Sequence, residues 1–221
     1  MNIPDISNRF RLRQQIFDFL YSQIEKGTLV PGSTINVKQL TQELNVSRTP
    51  LREALAQLEI QGLVTIRPQR GVVINALTYE ELVDIFEILG ALESQALASV
   101  FDQIDHQTIK AMDRCNREMA LAVKNDLSKQ FHEKNIQLHN LFLDLSKNSV
   151  LKTTVSNLKL RLFGFAVKRY RNRFKDAIVL EHDMFIDMIR SGQKEKSIRF
   201  LKEVHWKFNY PENFIQGGSD I

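Results

Sequence analysis

A single cysteine, Cys115, leaves this chain without an internal disulfide, and a lone thiol fits a reducing cytoplasm. Its place within a helical pattern marks Cys115 as a buried small residue rather than a nucleophile. No apolar run reaches the ~18 residues that a membrane span needs, which excludes a bilayer partner. The start, MNIPDISNRFRLRQQ, has no apolar core behind a basic end, so no signal peptide is expected there. Low-complexity tracts and internal repeats are absent as well. Excess charge is scarce, at +4 overall, but it is unevenly placed. Residues 1–75 hold nine Lys/Arg against six Asp/Glu, whereas the remaining 146 hold 21 against 20. The basic excess belongs to the first third, as attraction to phosphate requires.

The clearest pattern in that third runs from Leu40 to Gly71. Leu40 and Leu44 are one helical turn apart, and Asn45-Val46 breaks the short helix they define. Ser47 is placed to cap a second helix, with Pro50 in its first turn, where a missing N–H costs nothing. Leu51, Leu55 and Leu58 make one apolar stripe, and Gly62 ends the helix. Val64-Thr65-Ile66 and Val72-Val73-Ile74 read as strands joined by the turn Arg67–Gly71. Two short helices with a tight break, followed by a β-hairpin, describe a winged helix-turn-helix.

The first turn of the second helix carries Ser47, Arg48, Thr49 and Arg52, and Lys38 opens the helix before it. A recognition helix enters the major groove by its N-terminus, so donors in that turn meet phosphates and base edges. Arginine grips guanine O6 and N7 with two hydrogen bonds, and hydroxyls suit phosphate oxygens. Gln69, Arg70 and Gly71, at the hairpin tip, complete the expected DNA-contacting set. Taken singly, these charges also fit a solvated amphipathic helix; the cap, the helix break and the basic hairpin together favour DNA.

On these residues the segment GTLVPGSTINVKQLTQELNVSRTPLREALAQLEIQGLV resembles the amino-terminal domain of the GntR family of bacterial transcription regulators. Gly27, Leu29, Pro31-Gly32, the run Val46–Leu55 and Gly62-Leu63-Val64 carry the likeness. The resemblance implies DNA contacts from Arg48 and Arg52, helped by Lys38, Thr49 and the hairpin tip.

Beyond residue 77 the strand signals vanish. Thr78-x-x-Glu81 is a capping box, and Leu82, Ile85, Phe86, Leu89, Leu92 and Ala96 follow at helical spacing. Further helices are expected over 106–124, 126–146, 149–170, 174–191 and 194–209. The chain is therefore expected to be mainly α, with a winged helix-turn-helix over 1–75 and an all-α antiparallel helical bundle over 76–221. The basic run 168–175 reads as a solvated helix end.

All five histidines lie in this helical half, and four of them, His132, His139, His182 and His205, fall on three of its expected helices. Imidazoles projecting inward from several helices can hold a divalent metal, although scattered histidines are the plainer reading of sequence alone. The helical half is similar to the FCD effector domain of one branch of the GntR family. Asn135-x3-His139, the segment 145–151, Glu181-His182 and His205 carry that similarity. It implies a divalent metal ion (zinc, nickel or manganese) held by Asn135, His139, His182 and His205 at the floor of a pocket for small organic acids. His182 and His205 are 23 positions apart, one more than the family spacing. An extra residue in the Ser191–Lys196 turn would restore register; otherwise Val204 takes the ligand position. Leu89 stands where the family often has an arginine, and Arg161 is the cation expected to recognise an effector carboxylate in its stead.

The function expected is a ligand-responsive, cytoplasmic transcription regulator, a repressor. It would bind a pseudo-palindromic operator in double-stranded DNA as a homodimer, and sense a small carboxylate. Two other classes remain open at this point: a metal-dependent enzyme using three histidines, and a constitutive DNA-binding protein whose helical half only dimerises. Glu181, about 100° around its helix from His182, is poorly placed as a general base.

Overall fold

The computed structural model describes residues 6–68, 70–166 and 172–209. The chain divides into two compact units, one of Met1–Leu77 with Leu160–Lys168, the other of Thr78–Lys159 with Arg169–Ile221.

In the first unit, α1 (Ile6–Glu25) buries Ile16, Phe17, Leu20 and Ile24, spaced three and four apart on one face. Gly27, at φ 66°, closes it in a conformation that side chains resist. Strand β1 (Thr34–Ile35) follows, two residues that no sequence signal announced. Next, α2 (Val37–Glu43) is capped by Asn36, whose side chain accepts from Gln39 N–H. Asn45, at φ 49°, turns the chain sharply into α3 (Arg48–Ile60). That helix buries Pro50, Leu51, Ala54, Leu55 and Leu58. Ser47 takes the N-cap position, but its side chain makes no capping hydrogen bond. Strands β2 (Val64–Arg67) and β3 (Gly71–Ile74) form the antiparallel hairpin, with Val64 opposite Ile74 and Arg67 opposite Gly71. β1 pairs with the other edge of β3, giving the order β1-β3-β2.

The described residues after Leu77 form helices and no strand. α4 (Tyr79–Val100) opens with the expected reciprocal capping box between Thr78 and Glu81. It is followed by α5 (His106–Lys124), α6 (Ser128–Leu143), α7 (Ser149–Ala166), α8 (Asn172–Arg190) and α9 (Lys194–Phe200). The expected start of α6 at 126 fails because Asp126 sits at φ 54°. At its other end Leu145 and Ser146 close i→i−3 bonds that stop the helix at Leu143. α5 packs against α6 and α8, and α4 against α6 and α9. Asn116 on α5 ties the bundle by donating to Val179 C=O at 2.9 Å and to Asp183 at 2.7 Å. Cys115 is buried beside it.

Three sequence expectations are changed here. The break expected at 170–174 lies partly outside the described residues, and α8 already begins at Asn172. Lys175, within the basic run read as solvated, is buried and donates to Ser128 Oγ at 2.6 Å. The last expected helix, 194–209, is α-helical only to Phe200 and continues as a π-turn, Leu201–His205.

Candidate DNA-reading helix and metal centre

The stripe Leu51, Leu55 and Leu58 fixes the roll of α3 by facing the core of the first unit. Ser47, Arg48, Thr49 and Arg52 are consequently exposed at its amino-terminal end, and Lys38 on α2 is exposed too. With no cap bond to make, the Ser47 hydroxyl is available for a phosphate oxygen. Arg67 and Arg70 are exposed at the hairpin, while Gln69 lies outside the described residues. Gly71 has a backbone reason of its own: φ is 92°, and a Cβ there would lie 3.0 Å from Thr34 Cγ2 and 3.2 Å from Ile35 O. It lets β1 pass close beside the hairpin.

In the second unit His139 on α6, His182 on α8 and His205 in the π-turn converge, with ligand atoms within 4.8 Å of one another. His139 Nε2 lies 3.2 Å from His182 Nε2 and 3.2 Å from His205 Nε2. Two imidazoles bound to one tetrahedral zinc at about 2.0–2.1 Å hold their nitrogens about 3.3 Å apart, so this spacing fits a shared ion.

The other ring nitrogens show which atoms are free for it. His139 Nδ1 donates to Glu93 Oε2 at 2.6 Å, and His205 Nδ1 donates to Glu181 Oε2 at 2.9 Å. Each of those Nε2 atoms therefore presents a bare lone pair to the centre of the cluster. Lone pairs meeting at 3.2 Å repel unless a cation lies between them. Burial, opposed by the Glu93 charge and reinforced by Lys159, lowers His139 to about 4, and burial takes His182 well below its ordinary value. Both are neutral, as ligands must be.

Sequence reading passed over the groups that hold these rings. Glu93 on α4 is fully buried, accepting from His139, from Trp206 Nε1 at 2.9 Å, and pairing with Lys159 Nζ at 2.5 Å. Burial raises its carboxyl, but attraction to His139 and Lys159 overrides that and keeps it below the ordinary carboxylate range. Lys159 is itself buried, with Trp206's ring 5.6 Å from its ammonium. A signal did exist, because Glu93 interrupts the stripe Leu89–Leu97 on α4, and Lys159 the stripe Val155–Leu162 on α7.

Asn135 is buried one turn before His139 on the same helix, and its Oδ1 has no hydrogen-bond partner. A buried carbonyl oxygen without a partner costs free energy that a metal or an ordered water would recover. His132, seven residues before His139, is not brought into the cluster; burial lowers it to about 3, beside the ring of Phe131. Arg161 is not brought there either. It belongs to the first unit, where its Cδ and Nε would stand 3.3 Å from a Cβ on Gly62, and neighbouring Leu160 C=O accepts from Tyr21.

No described helix is long and apolar enough to cross a membrane. Residues 12–74 match the profile of bacterial regulatory proteins of the gntR family, and residues 84–204 match the FCD domain. The chain is 28% identical over 183 residues to the HTH-type transcriptional regulator YdhC of Bacillus subtilis, covering 82% of each. Against the gluconate operon transcriptional repressor of the same species it is 23% identical over 200 residues, covering 88% of this chain and 79% of the other. Among solved structures, Escherichia coli McbR/YncC superposes with a TM-score of 0.74 at 20% identity, over 88% of this chain and 93% of that one.

Proposed function

Because the chain belongs to the GntR family of transcription regulators, with an FCD domain as its second half, it is a DNA-binding regulator and not an enzyme, and we propose that it is a metal-dependent, ligand-responsive repressor. Arg48 and Arg52 read base edges, with Lys38, Ser47, Thr49 and the hairpin-tip residues Gln69, Arg70 and Gly71 on the backbone. One such unit spans a short half-site, so a homodimer on a pseudo-palindromic operator is the working form. A protein that reads the bacterial chromosome works in the cytoplasm.

The observation that carries the sensing role is the convergence of three Nε2 atoms, with His139 3.2 Å from each of the other two, and with the Nδ1 atoms of His139 and His205 held by a buried and a half-buried carboxylate. His139, His182 and His205 hold a divalent ion, and Asn135 Oδ1 supplies a weak neutral contact. Such an ion is a Lewis acid that takes an oxygen ligand in its open position. Lys159 offsets the Glu93 charge, and Asn135 brings none, so the site keeps the electropositivity that selects a small organic acid.

Elemental analysis and thermal melts of the purified protein test this. About one zinc, nickel or manganese per chain, and a melting point lowered by chelator, are expected. A metal-free preparation whose melting is indifferent to added zinc would contradict the sensing site.

A further inference from the structure

The π-turn was invisible to sequence periodicity, and its geometry is unusual. α9 turns Ser197 and Phe200 inward, followed by Leu201 at the start of the turn, all buried. An uninterrupted α-helix returns after seven residues to within about 20° of its starting direction. Val204 would then follow Ser197 inward, and His205 would point about 80° away from it. The molecule does the reverse. Trp206 N–H bonds to Leu201 C=O, five residues back, at 3.0 Å. Val204 is 44% exposed, whereas the His205 side chain is 5% exposed and Trp206 4%.

One extra residue in that turn thus delivers two side chains together. His205 Nε2 reaches 3.2 Å from His139 Nε2, and Trp206 Nε1 reaches Glu93, which holds the same His139. Gly90 on α4 makes room: a Cβ there would lie 3.1 Å from Trp206 Cβ and 3.4 Å from Lys202 O. Turning valine outward and imidazole inward is the wrong exchange for apolar packing. It is the right one for a metal ligand, and π-turns are rare enough to need such a reason.

We propose that the π-turn Leu201–His205, seated on Gly90, is the positioning element of the metal centre, and that its extra residue is what brings His205 into the ligand set. The proposal rests on the metal reading above. It also replaces the expectation that an added residue in the Ser191–Lys196 turn restores register, since the compensation lies ten residues later.

Zinc affinity, measured by competition with a chromophoric chelator on full-length chains, tests it with three variants. His205→Ala weakens zinc binding by about 100-fold or more. Deleting Val204 leaves an ordinary α-helix with the imidazole at the inward position seven residues after Ser197, so affinity stays within a few-fold of native. The exchange Val204→His with His205→Val leaves Trp206 anchored on Glu93 and moves the imidazole to the solvent side, so affinity falls as far as in His205→Ala. A folded deletion variant that loses zinc as His205→Ala does, or an exchange variant that keeps native affinity, overturns the proposal. Should the deletion variant not fold, the exchange alone decides. A native chain that binds no zinc overturns the metal reading and this proposal with it, which separates the two failures.

Discussion

Charged residues are put to opposite use in the two units. In the first, Lys38, Arg48, Arg52 and Arg70 stand exposed to solvent around an apolar core. In the second, Glu93 and Lys159 are buried against each other, and two histidines are held by carboxylates. Solvated cations suit a polyanion met reversibly, because they keep their long-range field and give up little hydration before contact. Buried groups held in place suit a small ion, because ligand atoms must already stand within a few tenths of an ångström of their places. The difference teaches where each substitution will be felt, in partner affinity or in the fold itself.

The sharpest break in that comparison is Lys159→Met. It strands the Glu93 charge in the core and should cost about 3–5 kcal/mol in urea unfolding, with most of the loss recovered in the pair Lys159→Met, Glu93→Gln. DNA affinity of the protein that remains folded should be near native. Next in size is His139→Ala, which should weaken zinc binding about 100-fold and abolish the stabilisation of about 2.7 kcal/mol that zinc at a hundred times its Kd confers on the native chain. Arg52→Ala is the converse case. Operator affinity should fall by about 1–3 kcal/mol in a mobility-shift titration, with urea unfolding and zinc binding unchanged.

The smallest effect is on pH. His132 is buried and neutral with its folded value lowered to about 3, below the ordinary 6.5. Between those values the unfolded chain takes up a proton that the folded chain refuses, so stability declines as pH falls. From pH 6.5 to 5.5 this one residue should remove up to about 1 kcal/mol, and His132→Gln should flatten the measured slope by that amount.

The same contrast explains what was legible in the sequence. The DNA-reading surface is one contiguous stretch whose cap, break, stripe and hairpin are local signals, and α3 follows the stripe Leu51–Leu55–Leu58 as periodicity required. Strand β1 escaped because two residues carry no pattern and are defined only by their partner β3. The metal cluster is drawn from α6, α8 and the π-turn, so its histidines could be named but their convergence could not be read from spacing. Glu93 and Lys159 received no reading from the sequence, although each interrupts an apolar stripe. Arg161 was given a role by elimination, and its actual place against Gly62 is a tertiary fact. The π-turn breaks the 3.6-residue period itself, so spacing alone left open whether His205 or Val204 takes the ligand position.

One measurement bears most directly on the proposal that a metal site governs DNA release: footprinting of the native protein and His139→Ala on the promoter of its own gene, with zinc present, with and without a panel of small carboxylates and sugar acids. The account predicts that both proteins protect the same pseudo-palindromic site and that at least one acid releases the native protein while leaving His139→Ala bound. Equal release of both, or no release of either by any acid in the panel, would contradict it.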